Sequence, residues 1–103
     1  MIDHAGEMAA FVRVVEARGF SAAAPTLGLT PSAVSKLVTR LETRLGVRLL
    51  QRTTRALHLT AEGELFFDSA RRIVGEIDQL ESRLSDGHQV QAEERHQQAE
   101  AVR

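Results

Sequence analysis

The stretch that decides the fold is FSAAAPTLGLTPSAVSKLVTRLETRLG, residues 20–46. Gly28 and Leu29 separate two segments with helical patterns. Thr30-Pro31 favours a helix start, because a Thr hydroxyl can cap the first free N–H groups and Pro is tolerated at the first helical position. Apolar residues then recur on one arc until Gly46, a residue typical of helix ends. The stretch therefore predicts two helices joined by a short turn.

Upstream of the turn, the sequence predicts two helices in succession. Asp3 can cap the first helix, which Gly19 would end, and Ser21 can cap the second, over residues 22–27, with Phe20 as an apolar anchor before it. The first helix has an apolar face with i, i+3, i+4, i+7 spacing, which is typical of a helix that faces the core. The residues of this face are Met8, Phe11, Val12 and Val15.

Downstream of the turn, residues 47–60 change period. Leu57 and Leu59 alternate with His58, which predicts a small two-stranded hairpin, or wing. Thr60 can cap a long helix to about Ser85. Six apolar residues of this helix are spaced 4, 3, 4, 3, 4. These form a coiled-coil seam, predicted to be a dimer interface because so small a domain cannot cover it. They are Phe66, Ala70, Ile73, Ile77, Leu80 and Leu84.

The predicted fold is mainly α, with three helices and a small wing followed by a long helix. Residues 1–60 form the winged helix-turn-helix, 61–85 the linker or dimerisation helix, and 86–103 a polar tail. The tail has no apolar stripe, so it is expected to be disordered or a frayed helix.

Charge is segregated along the chain. The net charge is -1 overall, but residues 30–60 contain six of the thirteen basic residues and a single acid, Glu42. Their net charge is therefore +5. Binding to a polyanion depends on the local field at the contact face, so this segment indicates a nucleic-acid surface despite the acidic total.

Composition disfavours other classes of function. The chain has no Cys, its four His lack metal-ligand spacing, and its seven Gly are isolated rather than gathered in a phosphate loop. The Ser residues have no His and acid arranged beside them in sequence as a triad. No catalysis, cofactor, metal or small-molecule effector site is therefore expected in this chain. The absence of an export signal or a long apolar run predicts a cytoplasmic location without membrane attachment.

Several runs of this sequence occur in the order and spacing of one known family. They begin with Phe20-Ser21-Ala22-Ala23-Ala24 and Leu27-Gly28-Leu29-Thr30-Pro31-Ser32-Ala33-Val34-Ser35-Lys36-Leu37. They continue with Arg40-Leu41-Glu42, Leu45-Gly46-Val47-Arg48-Leu49-Leu50, Arg52-Thr53-Thr54-Arg55 and Leu59-Thr60-Ala61-Glu62-Gly63. Over residues 6–85 the chain resembles the DNA-binding end of LysR-type transcriptional regulators. Two residues depart from the family pattern. Pro25 lies where helix 2 usually continues, and Thr30 lies where many relatives have Gln.

The resemblance implies a winged helix-turn-helix that binds double-stranded DNA near promoters, at interrupted palindromes. It also implies a linker helix that pairs antiparallel with its partner, forming a homodimer through residues 61–85. In that family a longer effector-binding domain follows, and residues from Asp86 onward do not resemble its start.

The residues predicted to contact DNA lie on or beside the exposed face of the third helix and in the wing. The helix would enter the major groove, and the wing Arg residues would meet phosphates or a minor groove. Alternatively, Thr30 and Ser32 serve only the helix start, while Lys36 and Arg40 are ordinary solvated charges and the wing is a polar hairpin tip. The predicted contacts are Ser21, Thr30, Pro31, Ser32, Ser35, Lys36, Thr39, Arg40, Arg52 and Arg55.

A second function is compatible with the same sequence. The chain could pair through its long helix with a full-length relative and modulate that protein, without being a regulator itself. Heterodimer formation with such a relative would distinguish this interaction module from an independent regulator.

Overall fold

The computed structural model describes residues 4–53 and 56–102, with side chains described for 4–53 and 56–85. It contains four helices and a two-stranded sheet within those residues. The predicted mainly helical fold with a small wing is confirmed. In chain order the elements are α1 (His4–Ala17), α2 (Phe20–Leu27), α3 (Pro31–Leu45), β1 (Leu50–Arg52), β2 (Leu57–Leu59) and α4 (Ala61–Val102).

The core lies between α1, α2, α3, the start of β1 and the first turns of α4. Phe11 of α1 is fully buried, and its ring meets Phe66 and Phe67 of α4 edge to face at centroid distances of 5.6 and 6.2 Å. In α1, Val14 is fully buried while Met8 and Val15 are partly exposed, so the buried face is rotated slightly from the predicted one. The fully packed residues are Ala10, Phe11, Val12, Val14, Ala23, Ala24, Val34, Val38, Leu41, Leu49, Leu50, Ala70 and Val74.

The junction between α1 and α2 differs from the prediction. Helix α1 ends at Ala17, and the chain reverses at Arg18, which has a positive φ of 64°. The N–H groups of Arg18 and Gly19 then bond the carbonyls of Val15 and Val14, which is a Schellman-type ending. Helix α2 begins at Phe20 with Gly19 as its N-cap and no side-chain cap bond. Ser21 is therefore not a cap, because the helix has already started before it. The predicted cap Asp3 lies outside the described residues.

The predicted start and end of α3 are confirmed. The hydroxyl of Thr30 accepts a hydrogen bond from the N–H of Ala33 at 3.1 Å, and Pro31 is the first helical residue. Gly46 has a left-handed φ of 75° and donates its N–H to the carbonyl of Glu42. These local signals fix both ends of the helix.

The wing is antiparallel, with Leu50 opposite Leu59, Gln51 opposite His58 and Arg52 opposite Leu57. At its tip, the hydroxyl of Thr53 accepts the N–H of Ala56 at 2.9 Å. Helix α4 then starts at Thr60, as predicted: its hydroxyl accepts the N–H of Gly63 at 2.9 Å. The same hydroxyl donates to the carbonyl of Arg48 at 2.6 Å, so this cap also ties the helix to the segment before the wing.

Helix α4 extends further than predicted. Its backbone is helical to Val102 rather than ending near Ser85. About five turns from its start it is joined to α1, since Arg13 Nη2 lies 2.6 Å from Asp78 Oδ2. Burial lowers the pKa of Arg13, but the hydrogen bonds to Asp78 and Glu16 and the charges of these carboxylates together raise it by more, so the net shift is upward. Arg13 therefore remains a cation that couples the two helices.

Candidate nucleic-acid interface

Helix α3 exposes a polar and basic face. Its apolar residues Val34, Val38 and Leu41 are buried, which leaves the opposite face toward solvent. Pro31 and the cap residue Thr30 lie exposed at the start of this face. Fifteen residues of helix extend about 22 Å at 1.5 Å per residue, enough to follow a major groove. The predicted contacts gathered on the helix are Ser32, Ser35, Lys36, Thr39 and Arg40; Ser35 is half-buried and the others are exposed.

Ser21 occupies a separate position. It is exposed in the first turn of α2, not on α3. The Ser21 hydroxyl makes no cap hydrogen bond, so it can bond to a molecule that approaches α2 and α3. Arg55, the last of the predicted contacts, lies outside the described residues.

Glu42, the single acid of the basic segment, is turned into the protein. Its side chain is buried, and Oε2 accepts the N–H groups of Leu49 and Leu50 at 2.9 and 3.1 Å. Its Oε1 lies 3.8 Å from Arg52 Nη2, and its Oε2 lies 3.8 Å from Arg48 Nε. A charged acceptor for two backbone N–H groups fixes the chain between α3 and β1. The negative charge is thereby withdrawn from the exposed face.

The basic residues of the segment divide into two groups. Arg44 points away from the exposed face and binds Glu7 of α1, with Nε at 3.1 Å and Nη2 at 2.9 Å from Oε1. Glu7 is almost fully buried, so this pair belongs to the packing of α1 on α3. Lys36, Arg40 and Arg48 are exposed to solvent. Net charge alone could not separate these groups, because it does not show that Arg44 is bound to a buried carboxylate of α1.

Arg48 was missed by the sequence reasoning. Its side chain is 68% exposed and lies where the chain leaves α3 for the wing. Together with Thr39, Thr43 and Val47 it lines an open depression of about 350 Å³ beside α3. The signal that could have found it is its place directly after the end of α3 at Gly46, where the chain must pass along the same face.

Arg52 does not extend freely from the wing. Its guanidinium carbon lies 4.7 Å from the centroid of the Phe20 ring. Its Nη1 lies 3.4 Å from Ser35 Oγ. With its ion pair to Glu42, the group is held against α2 and α3, and its side chain is 31% exposed.

The seam of α4 divides between two environments. Ala70 is buried in the chain's own core, and the partly buried Phe66 packs against that core. Ile77 is partly exposed. Ile73, Leu80 and Leu84 are 45, 55 and 68% exposed and lie along one edge of the helix. We call these three residues the α4 stripe. The packing of α4 on α1 uses the neighbouring arc of the helix, through Ala70 and Val74.

Neither a metal site nor a membrane span is found in the part of the chain that the structure describes. No cluster of three or more metal-binding side chains occurs there. None of its helices combines the length and the apolar character that crossing a membrane requires.

Residues 6–64 match the family model of the bacterial regulatory helix-turn-helix protein, lysR family. The matched region includes α2, α3 and the wing, together with most of α1 and the first turn of α4. An HTH-type transcriptional repressor of Pseudomonas aeruginosa is 49% identical over 86 residues, which cover 84% of this chain and 27% of the repressor. The chain thus spans about a quarter of that relative's length.

Two solved structures are similar over most of the chain. The DNA-binding domain of BenM in complex with a catB site has a TM-score of 0.67 at 34% identity, covering 80% of this chain and 91% of that one. DarR of Vibrio fischeri in complex with DNA has a TM-score of 0.70 at 30% identity, covering 87% of this chain and 31% of that one. With the family-model match over more than half of its residues, the chain belongs to the LysR family of bacterial helix-turn-helix regulators, which are DNA-binding proteins of transcription.

Proposed function

We propose that this chain binds double-stranded DNA as a dimer and regulates transcription by recognising an interrupted palindrome. The observation that carries the proposal is the exposed face of α3, which has the cations Lys36 and Arg40 among small polar side chains while its one acid, Glu42, is buried. Short polar side chains allow a helix to approach base edges, and the cations can neutralise phosphates. Relatives of similar fold are solved in complex with DNA, which supports the same role for this chain.

In this proposal α3 enters the major groove and the wing approaches the flanking backbone. Thr30, Pro31, Ser32, Ser35 and Thr39 lie near base edges. Arg40, Lys36, Arg48 and Arg55 meet phosphates or a minor groove, and Ser21 of α2 contacts the backbone beside the groove. The cap role of Thr30 is compatible with a DNA contact, because its hydroxyl oxygen accepts from Ala33 and still has a proton to donate.

The dimer is proposed to form through the α4 stripe. Leu80 and Leu84 are more than half exposed, whereas Ala70 and Val74, nearer the start of α4, are buried. Large apolar side chains in a row on an exposed helix favour pairing with a second helix. A two-fold pair of recognition helices requires two inverted half-sites, separated by about one or more turns of DNA.

This function is tested by selecting, from random double-stranded DNA, the sites that the purified chain binds. We expect enriched sites that contain two inverted half-sites. If Lys36, Arg40, Arg48 and Arg55 contact phosphates, log affinity should fall with log salt at a slope of about -3 to -4 per subunit. A slope near zero, or sequences without enrichment, would overturn the proposal.

The α4 stripe also supports the second candidate function, pairing with a full-length relative. The stripe is exposed on this chain, and a family member of about three times its length matches 84% of the chain. Two results would favour this interaction role over an independent regulator. The chain would co-purify with a tagged full-length family member, and the chain alone would not bind selected DNA.

A further inference from the structure

Arg52 connects the wing to both helices of the helix-turn-helix. It is the last residue of β1, beside the wing tip. Its guanidinium lies over the ring of Phe20 in α2, and its nitrogen atoms approach Ser35 and Glu42 of α3 at 3.4 and 3.8 Å. One planar group therefore contacts an aromatic face, a hydroxyl and a carboxylate at once, a combination suited to the guanidinium of Arg.

The partners of Arg52 are themselves fixed. Glu42 is buried and accepts two backbone N–H groups, and Phe20 is partly buried against the core. A guanidinium that turned outward to a phosphate would lose the stacking contact and the ion pair, and would leave Glu42 without this cation. Lys36 and Arg40, both exposed on α3, are placed for phosphates without such a loss.

The contact with Ser35 has a consequence for base recognition. A guanidinium can only donate, so the Ser35 oxygen accepts from it. The hydroxyl proton of Ser35 then points elsewhere. Ser35 is half-buried at the edge of the exposed face of α3, where Ser32 and Thr39 are its neighbours on the helix. In the major groove a hydroxyl donor matches guanine N7 and O6, adenine N7 or thymine O4, but not the amino group of cytosine.

We propose that Arg52 is a specificity-determining positioning residue that acts through its contacts with α2 and α3. It fixes the hydroxyl of Ser35 as a donor toward a base-edge acceptor and holds the wing against α3, and it does not bind a phosphate. The proposal rests on the proposed DNA-binding function, which it deepens by assigning the recognition of one base position to the Arg52–Ser35 pair.

The test compares the wild-type chain with Arg52→Gln, Arg52→Lys, Ser35→Ala and Arg40→Gln on one duplex, the site that the wild type selects from random DNA. Affinity is measured against salt, and again on duplexes with each base pair replaced in turn. We expect Arg52→Gln to keep the wild-type salt slope, while discrimination falls about fivefold or more at one or two base pairs. Ser35→Ala should lose discrimination at the same base pair. A variant that combines Arg52→Gln with Ser35→Ala should lose no more discrimination there than either single variant. Arg40→Gln, the matched control, should reduce the slope by about 1 for all sequences.

Arg52→Lys keeps the charge but lacks the planar face for Phe20 and the fork that reaches both Ser35 and Glu42. We therefore expect it to lose discrimination like Arg52→Gln, and it remains informative if the Gln variant does not fold. If Arg52→Gln reduces the slope by about 1 with discrimination intact, or if Arg52→Lys behaves as the wild type, Arg52 is a phosphate contact and the inference is wrong. Absence of DNA binding by the wild-type chain would instead contradict the proposed function.

Discussion

The backbone of Gly63, in the first turn of α4, packs directly on the carbonyl group of Leu49. A Cβ at Gly63 would overlap the Leu49 carbonyl oxygen and would lie 2.9 Å from its carbon and 3.0 Å from Leu59 Cδ2. The same oxygen accepts the N–H of Thr60 at 3.0 Å. This close approach joins the start of α4 to the wing, and it requires a residue without a side chain.

Gly63→Ala is expected to lower the free energy of unfolding by about 1–3 kcal/mol, because backbone atoms must move to admit the methyl group. Gly75 of the same helix is the matched control, since a Cβ there meets no atom within 4 Å. Gly75→Ala should raise the free energy of unfolding by about 0.5–1 kcal/mol through the better helix propensity of Ala. Urea denaturation measures both. Equal effects of the two substitutions would show that the close contact with Leu49 does not lower the stability of Gly63→Ala.

Glu42→Ala should lower the free energy of unfolding by about 2–3 kcal/mol. The substitution leaves the N–H groups of Leu49 and Leu50 without their acceptor in a buried place. Glu42→Gln keeps an oxygen acceptor and removes only the charge, so its cost should be about 1 kcal/mol. Urea denaturation distinguishes the two. An Ala variant as stable as the Gln variant would contradict the role assigned to these hydrogen bonds.

The two Thr caps should differ in cost. Thr30→Ala removes one acceptor, for the N–H of Ala33, and should lower stability by about 1 kcal/mol. Thr60→Ala removes an acceptor for Gly63 and a donor to the Arg48 carbonyl, and should lower it by about 2 kcal/mol. Thr→Ser at each position keeps the hydroxyl and serves as the control. Thermal unfolding that ranks the two Ala variants in the opposite order would argue against the additional bond of Thr60.

Leu80→Glu is expected to convert the proposed dimer into monomers and to weaken binding to a palindromic site. Two carboxylates buried face to face in the α4 stripe would oppose pairing. The control is Gln79→Glu, which adds the same charge one residue away at another exposed position. Sedimentation velocity measures the oligomeric state of each. An unchanged dimer with Leu80→Glu would place the interface elsewhere on the chain.

The ends of α3, the turn at Gly28 and the start of α4 could be predicted from the sequence. Each depends on one residue and its neighbours within four positions: Thr30 and Thr60 as caps, Gly28 and Gly46 as left-handed endings. The wing could be predicted for the same reason, because its alternation of apolar and polar residues is local. The predicted start of α2 was wrong. Its N-cap is Gly19, which makes no side-chain cap bond, so the sequence offered only Ser21 as a capping residue.

Tertiary structure decided which face each residue serves. Helical spacing placed Ala70 and Leu80 in one seam, but only the packing of α1 against α4 buries Ala70 and leaves Leu80 exposed. A count of charges grouped Arg40, Arg44 and Arg52 together. Only the fold gives Arg44 and Arg52 their internal carboxylates, Glu7 and Glu42, and leaves Arg40 exposed. The sequence by itself determined the local elements because their signals act over a single turn. Which long-range partner each side chain meets depends on how the helices pack, and that was decided only by the tertiary structure.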